Sequence, residues 1–210
     1  MIRITDGRYI RNVYGIPVVA DIFRTTTNIA VMFMRNVEEV VPVASIEDAM
    51  ALRGKGYLLF GEENTEMLKG FDYGNSPSET SELDLSGKRV AIKTTNGSST
   101  ILKAGEGTMI GSFLNIDAIA RFIRNREAHI FPSNERNGTA TEDNEFAYAL
   151  TKRALEPGSD VKVHIEMSRT GTGARRLMEH GLQRDIEFSL QLNVTEIIPI
   201  FREGKIVPMK

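Results

Sequence analysis

Val18-Val19-Ala20-Asp21-Ile22-Phe23-Arg24-Thr25-Thr26-Thr27-Asn28 joins a short apolar run to a carboxylate, a guanidinium and a cluster of hydroxyls. The apolar run follows the break at Gly15 and Pro17 and reads as a buried strand. A helical pattern then continues through Ile29, Ala30, Met32 and Phe33, with Thr26 or Thr27 placed to cap it. The same event recurs in Val90-Ala91-Ile92-Lys93-Thr94-Thr95-Asn96-Gly97-Ser98-Ser99. A strand end that meets hydroxyls and the free N–H groups of a helix start is good ground for an anion, phosphate above all.

Working outward, the alternation continues. Residues 37–43 read as a strand, and Ser45-Ile46-Glu47-Asp48 as a capping box before Ala49, Met50 and Leu52. Strands follow at 57–60, 89–92, 108–110 and 128–131. Helices are expected at 98–104, at 116–123 and from Thr141 onward, where Phe146, Ala147 and Leu150 form the inner face. This rhythm predicts an α/β fold, with a mostly parallel sheet and helices on both faces, in one domain over 1–210. Residues 62–87 interrupt it with Gly70, Gly74, Asn75 and Pro77, and read as a long ordered loop. In the last third, Val161, Val163 and Ile165 alternate like a strand, although the surrounding pattern is also open to a helix. Short helices are expected within 175–183 and at 186–192, and 197–200 with 205–207 suggest a closing hairpin around Gly204.

The 210 residues carry 26 Lys and Arg against 28 Asp and Glu, a net charge of -2, with the two signs interspersed. Such a balance gives no basic stripe for nucleic acid. There is no cysteine, which excludes disulfides, thiolate metal sites and cysteine nucleophiles. No apolar run approaches the ~18 residues of a membrane helix, so no membrane partner is expected. Met1-Ile2-Arg3-Ile4-Thr5-Asp6 lacks the layout of a signal peptide, and the cytoplasm is the expected compartment. No seam for a homo-oligomer is legible, though symmetric dimers are common among compact α/β enzymes.

The chemistry gathers at strand ends, where open α/β sheets bind ligands. Asp21 reads either as a ligand for Mg²⁺ or as the acid that caps the following helix. Arg24 offers a fork of donors to phosphate, or a salt bridge to Asp21. Glu62, Glu63 and the pair Glu142-Asp143 supply further carboxylates for a metal that would neutralise phosphate and activate water. Acids in a helix first turn are also favourable without any ligand. No Walker loop, dinucleotide fingerprint or serine nucleophile elbow is present. His129, His164 and His180 have no metal-ligand spacing.

Several of these segments together resemble the 2-phosphosulfolactate phosphatase family, named for a step of coenzyme M biosynthesis. They are Val19 through Thr27, Val41 through Ala49, Gly70-Phe71-Asp72-Tyr73-Gly74-Asn75-Ser76-Pro77-Ser78-Glu79, Thr94-Thr95-Asn96-Gly97, Gly111-Ser112-Phe113-Leu114-Asn115, Glu142-Asp143 and Gly181-Leu182-Gln183-Arg184-Asp185. The resemblance implies Mg²⁺-dependent hydrolysis of a small phosphorylated acid, releasing 3-sulfolactate and phosphate. It puts Asp21, Arg24, Glu142 and Asp143 forward as catalytic residues, and Asp21, Glu62 and Asp143 as metal ligands. Substrate would meet Thr25, Thr26, Thr27, Asn75, Ser76, Thr94, Thr95, Asn96, Gly97, Ser112 and Asn115. The chain departs from the family pattern at Glu63 and Ser99, where arginine is often found, and in the cysteine-free turn 131–138. Arg136, Lys93 and Arg175 are candidates to replace the missing cations. A binding protein without catalysis, or a phosphatase for another small phosphorylated acid, are the alternatives.

Overall fold

A computed structural model describes residues 1–135 and 138–209 of the chain. Arg136 lies outside them. The strands are β1 (Ile2–Ile4), β2 (Ile16–Ala20), β3 (Glu39–Pro42), β4 (Leu58–Glu63), β5 (Glu66–Met67), β6 (Arg89–Lys93), β7 (Met109–Gly111), β8 (Ala128–Pro132), β9 (Pro199–Arg202) and β10 (Lys205–Pro208). The α-helices are α1 (Thr25–Met34), α2 (Ile46–Arg53), α3 (Pro77–Thr80), α4 (Gly97–Ala104), α5 (Ile116–Ile123), α6 (Thr141–Leu155), α7 (Lys162–Thr170), α8 (Thr172–Glu179) and α9 (Gln183–Ser189). The strands form one sheet in the order β1-β8-β2-β7-β9-β10-β3-β6-β4-β5. Two parallel blocks, β1-β8-β2-β7 and β3-β6-β4, are separated by the antiparallel hairpin β9-β10.

Helices cover both faces, and the side chains of β2 show why. Val18 and Ala20 share a core with Ile119 and Ile123 of α5 and Phe146 and Leu150 of α6. Val19, on the opposite face, joins Ile29, Met32 and Phe33 of α1 and Ile101 of α4. That second core also takes Ile110 and Phe131 from one block, and Val40, Phe60 and Val90 from the other. The sheet therefore curls around α1 and α4. In a flat sheet, five strand spacings between β2 and β6 would be roughly 24 Å. Instead Thr25 Oγ1, four residues beyond Asp21, lies 3.1 Å from Thr94 Oγ1, the first residue after β6. The curl brings strand ends from the two blocks to one place.

Most expected elements are present, and the differences have local causes. Residues 162–165 are helical behind the N-cap Val161, because the buried positions Val161 and Ile165 are four apart while Val163 between them is 57% exposed. Neither Thr26 nor Thr27 caps α1. The helix begins at Thr25, and the Asp21 carboxylate accepts from the Thr25 N–H. The 62–87 excursion is tied down: Leu68 and Phe71 pack with Leu59 and Ala91, and the Asp72 carboxylate accepts the Leu59 N–H at 2.7 Å. The hairpin does not close an edge of the sheet but lies between its two blocks.

Candidate active site

Asp21 follows β2 immediately and is buried at the head of α1. Its Oδ1 accepts from the Thr25 N–H at 3.3 Å and its Oδ2 from the Thr25 hydroxyl at 3.0 Å. The side chain thus caps α1, as one reading of this acid expected, and it also lines a cavity of about 210 Å³. Arg24, Thr25, Glu62, Asn75, Thr95, Asn96, Arg176 and His180 share that lining. Gly97, at the start of α4, makes the close approach possible. A Cβ there would stand 2.5 Å from Asp21 Oδ2 and 2.6 Å from Thr25 Oγ1. Neither Arg24 nor Asn96, at the N-caps of α1 and α4, caps its helix with its own side chain.

Glu62 comes from the end of β4. Its carboxylate accepts from the Thr95 N–H (2.7 Å), the Thr65 N–H (2.9 Å) and the Thr95 hydroxyl (3.2 Å). Burial, and after it the neighbouring charge of Glu62, pushes the Asp21 carboxyl above its ordinary range. Two acids that line one polar cavity are suited to a cation.

Asp143 is buried, and burial together with the neighbouring charge of Asp21 holds its carboxyl well above the ordinary range. Its Oδ1 accepts the Ile22 N–H at 2.8 Å and its Oδ2 the Asn134 N–H at 3.0 Å, so both oxygens hold the backbone of the two loops beside the site. Among the described residues, no three acids or histidines are arranged to ligate an ion by themselves. Of the expected trio, Asp21 and Glu62 line the cavity, and Asp143 is not in its lining. Glu142, beside Asp143, is buried under α8. Burial raises its carboxyl to about 7, and its Oε2 has no hydrogen-bond partner among the described residues.

The remaining predicted residues divide sharply. The Thr26 hydroxyl donates to Asp21 O (2.9 Å) and the Thr27 hydroxyl to Ile22 O (2.9 Å), fixing the 21–24 loop from below. Asn75 Nδ2 reaches Thr25 Oγ1 at 3.4 Å and its Oδ1 accepts from Asn28 at 3.0 Å. Ser76 is turned away from the cavity and donates to Asp185 Oδ1 at 2.6 Å. Thr94, with Thr95, Asn96, Lys93 and Ser99, lines a second cavity of about 530 Å³ that adjoins the first. Ser112 and Asn115 lie outside both. Asn115 accepts from the Ser112 N–H and donates to Ile110 O and Ile197 O, which anchors the C-terminal segment to β7. Arg175 lines neither cavity.

Three residues of the last third acquire a role that their sequence context did not suggest. Arg176, on α8, lines both cavities, with Nη1 2.5 Å from Glu135 Oε1. His180 donates from Nδ1 to Arg176 O at 2.8 Å, which leaves Nε2 without a role in that bond. Asp185, on α9, is completely buried and pairs with Arg24 Nη1 at 3.0 Å, while Ser76 and Ser78 donate to its other oxygen. Arg24 is therefore not paired with Asp21. Its second nitrogen donates to Thr65 O at 3.1 Å. The one local signal for these residues was the 181–185 stretch, which ends in Asp185.

A curled α/β sheet whose strand ends, two helix N-termini, two acids and two guanidiniums meet in one polar cavity defines a protein built to handle a small anion. The chain belongs to the 2-phosphosulpholactate phosphatase family, which matches residues 5–204. It is 37% identical to a probable 2-phosphosulfolactate phosphatase of Thermoplasma acidophilum, over 99% of this chain and 95% of that protein. Its identity to the probable enzyme of Thermoplasma volcanium is 34%, over 99% of each. The 2-phosphosulfolactate phosphatase of Methanothermobacter thermautotrophicus is 30% identical, over 93% of this chain and 91% of the other.

Proposed function

We propose that the chain is a Mg²⁺-dependent phosphatase that hydrolyses 2-phosphosulfolactate to 3-sulfolactate and inorganic phosphate, within coenzyme M biosynthesis. Family membership supports the reaction, and the observation that carries it to this site is that Asp21 and Glu62 line one cavity with Arg24 and Arg176. Asp21 and Glu62 are the residues that would hold Mg²⁺, a metal that usually takes one or two carboxylates together with substrate phosphate. When bound, the ion supplies charge neutralisation for the phosphate and a more acidic water.

The protein's own part is positioning and charge. The Arg24 guanidinium, fixed on one side by Asp185, turns its remaining donors to the phosphate oxygens. The starts of α1 and α4 add their positive dipole ends. Thr25 and Thr95 orient the two acids through the hydrogen bonds described above. His180 Nε2 is the atom placed to exchange a proton with the leaving oxygen. Water attacks phosphorus in line, the P–O bond to C2 breaks, and the sulfolactate alkoxide takes up a proton.

Release of phosphate from 2-phosphosulfolactate with Mg²⁺, and with excess chelator, tests this. Asp21→Asn is expected to lower kcat by about 10³-fold or more, in line with loss of a main electrostatic group. No phosphate release above that variant, across pH and divalent metals, would sink the reading. Binding of 3-sulfolactate without turnover would instead support a binding protein.

A further inference from the structure

We propose that Arg176 selects the substrate by reading its sulfonate; this rests on the phosphatase reading above and names the residue that sets its specificity. The two cavities adjoin, and Asn64, Thr95, Asn96 and Arg176 line both. Arg176 carries the charge among these four. The acids Asp21 and Glu62 and the Arg24 guanidinium lie in the smaller cavity, of about 210 Å³. A phosphate seated there leaves the rest of the molecule to extend across the shared wall into the larger cavity, of about 530 Å³. On the substrate, the carboxylate is attached directly to the carbon that bears the phosphate, whereas the sulfonate is one carbon further out. The sulfonate is therefore the acid that reaches furthest from the phosphate seat, and it needs a cation at the wall.

Arg176 is equipped for this. Its guanidinium has five donors in a planar fork, and the described partner takes one of them: Nη1 donates to Glu135 Oε1. Its Nε is buried with no hydrogen-bond partner among the described residues. The Arg176 and Glu135 side chains are about one-third exposed, at 35% and 30%, and such exposed pairs exchange readily for another oxyanion. Glu135 thus occupies the position that a sulfonate takes over. Lys93 is the other described cation of the larger cavity, but it lines that cavity alone, with Nζ 3.9 Å from Glu63 Oε1.

The test compares 2-phosphosulfolactate with 2-phospholactate, which keeps the phosphate and carboxylate and lacks the sulfonate. The measured quantity is the ratio of kcat/KM for the first ester over the second. In Arg176→Met this ratio is expected to fall roughly 10- to 100-fold, the loss of one charge-assisted hydrogen bond. Arg176→Lys should restore part of it. A ratio within about threefold of wild type in Arg176→Met overturns the proposal, even if both activities drop. A collapse of the ratio in Lys93→Met but not in Arg176→Met overturns it as well. If the wild-type chain cleaves neither ester, the phosphatase reading fails separately. Calorimetric binding of 3-sulfolactate and of lactate then decides: a preference for 3-sulfolactate lost in Arg176→Met upholds the role of Arg176, and a preference that survives rejects it.

Discussion

Glu142, like its neighbours Asp21 and Asp143, is a buried acid whose raised carboxyl ties stability to pH. It is 1% exposed, and the α8 backbone presses on it at Gly173, where a Cβ would stand 2.0 Å from Glu142 Oε1. Burial raises its carboxyl from 4.5 to about 7, while Arg176 opposes the rise. The folded chain thus binds more protons than the unfolded chain between these values. Its stability must fall as pH rises through that window, since the slope follows the difference in bound protons. Below about pH 4.5 the acid is neutral in both states and costs nothing. Above about 7 the folded state carries a buried charge, a penalty on the order of 3 kcal/mol. Glu142→Gln, measured with chelator present, should therefore raise the melting temperature at pH 8 and change it little at pH 4.5. Equal shifts at both pH values would show that the carboxyl is not neutral in the fold.

At the scale of elements, Asp185 ties α9 and the start of α3 to the loop that carries Arg24. Its Oδ1 accepts from the hydroxyls of Ser76 and Ser78, each at 2.6 Å, and from the Ser78 N–H at 3.2 Å. Asp185→Asn leaves a buried guanidinium without its counter-charge, and breaking such a pair typically costs 3–5 kcal/mol, so about that loss is expected in urea unfolding. Ser78→Ala keeps the ion pair and should cost only about 1–2 kcal/mol. A larger loss in Ser78→Ala than in Asp185→Asn would mean that the serines, not the charge, hold this junction. The same junction marks where the sequence stopped being legible. Periodicity disclosed the strands around 18–20, 90–92 and 128–131 and the helix at 116–123, because burial repeats locally at 2 or 3.6 residues. It also disclosed Asp21, Arg24, Glu62, Thr95 and Asn96, which sit where a strand meets a loop. The pairing of Arg24 with Asp185 spans 161 residues, and Arg176 lies on a helix rather than at a strand end. Neither relation leaves a local pattern. Ser76, Ser112 and Asn115 came forward through the family resemblance, and in the fold they bond to Asp185, to each other and to backbone.

Over the whole molecule, the site depends on a feature remote from it in sequence. Asp21 and Thr25 follow β2 in one parallel block, and Glu62 and Thr94 end strands of the other. The blocks are joined through β9 and β10 by single registered pairs, Met109 with Ile200 on one side and Val40 with Ile206 on the other. The curl around α1 and α4 adds a shared core, in which Phe201 and Ile206 of the hairpin are buried with Val19, Ile92 and Ile101. That common core is what should make the two blocks unfold together, although the chain is longer than the ~150 residues for which single transitions are the rule. Ile206 has no exposed surface, so Ile206→Ala removes buried methyl groups at the seam and is expected to cost about 2–5 kcal/mol. Because the seam belongs to one core, the variant should still melt in a single transition, with circular dichroism and phosphate-release activity lost at the same temperature. If activity instead disappears well below the loss of secondary structure, the blocks separate first, and the hairpin is then a hinge between two independently stable halves rather than part of one core.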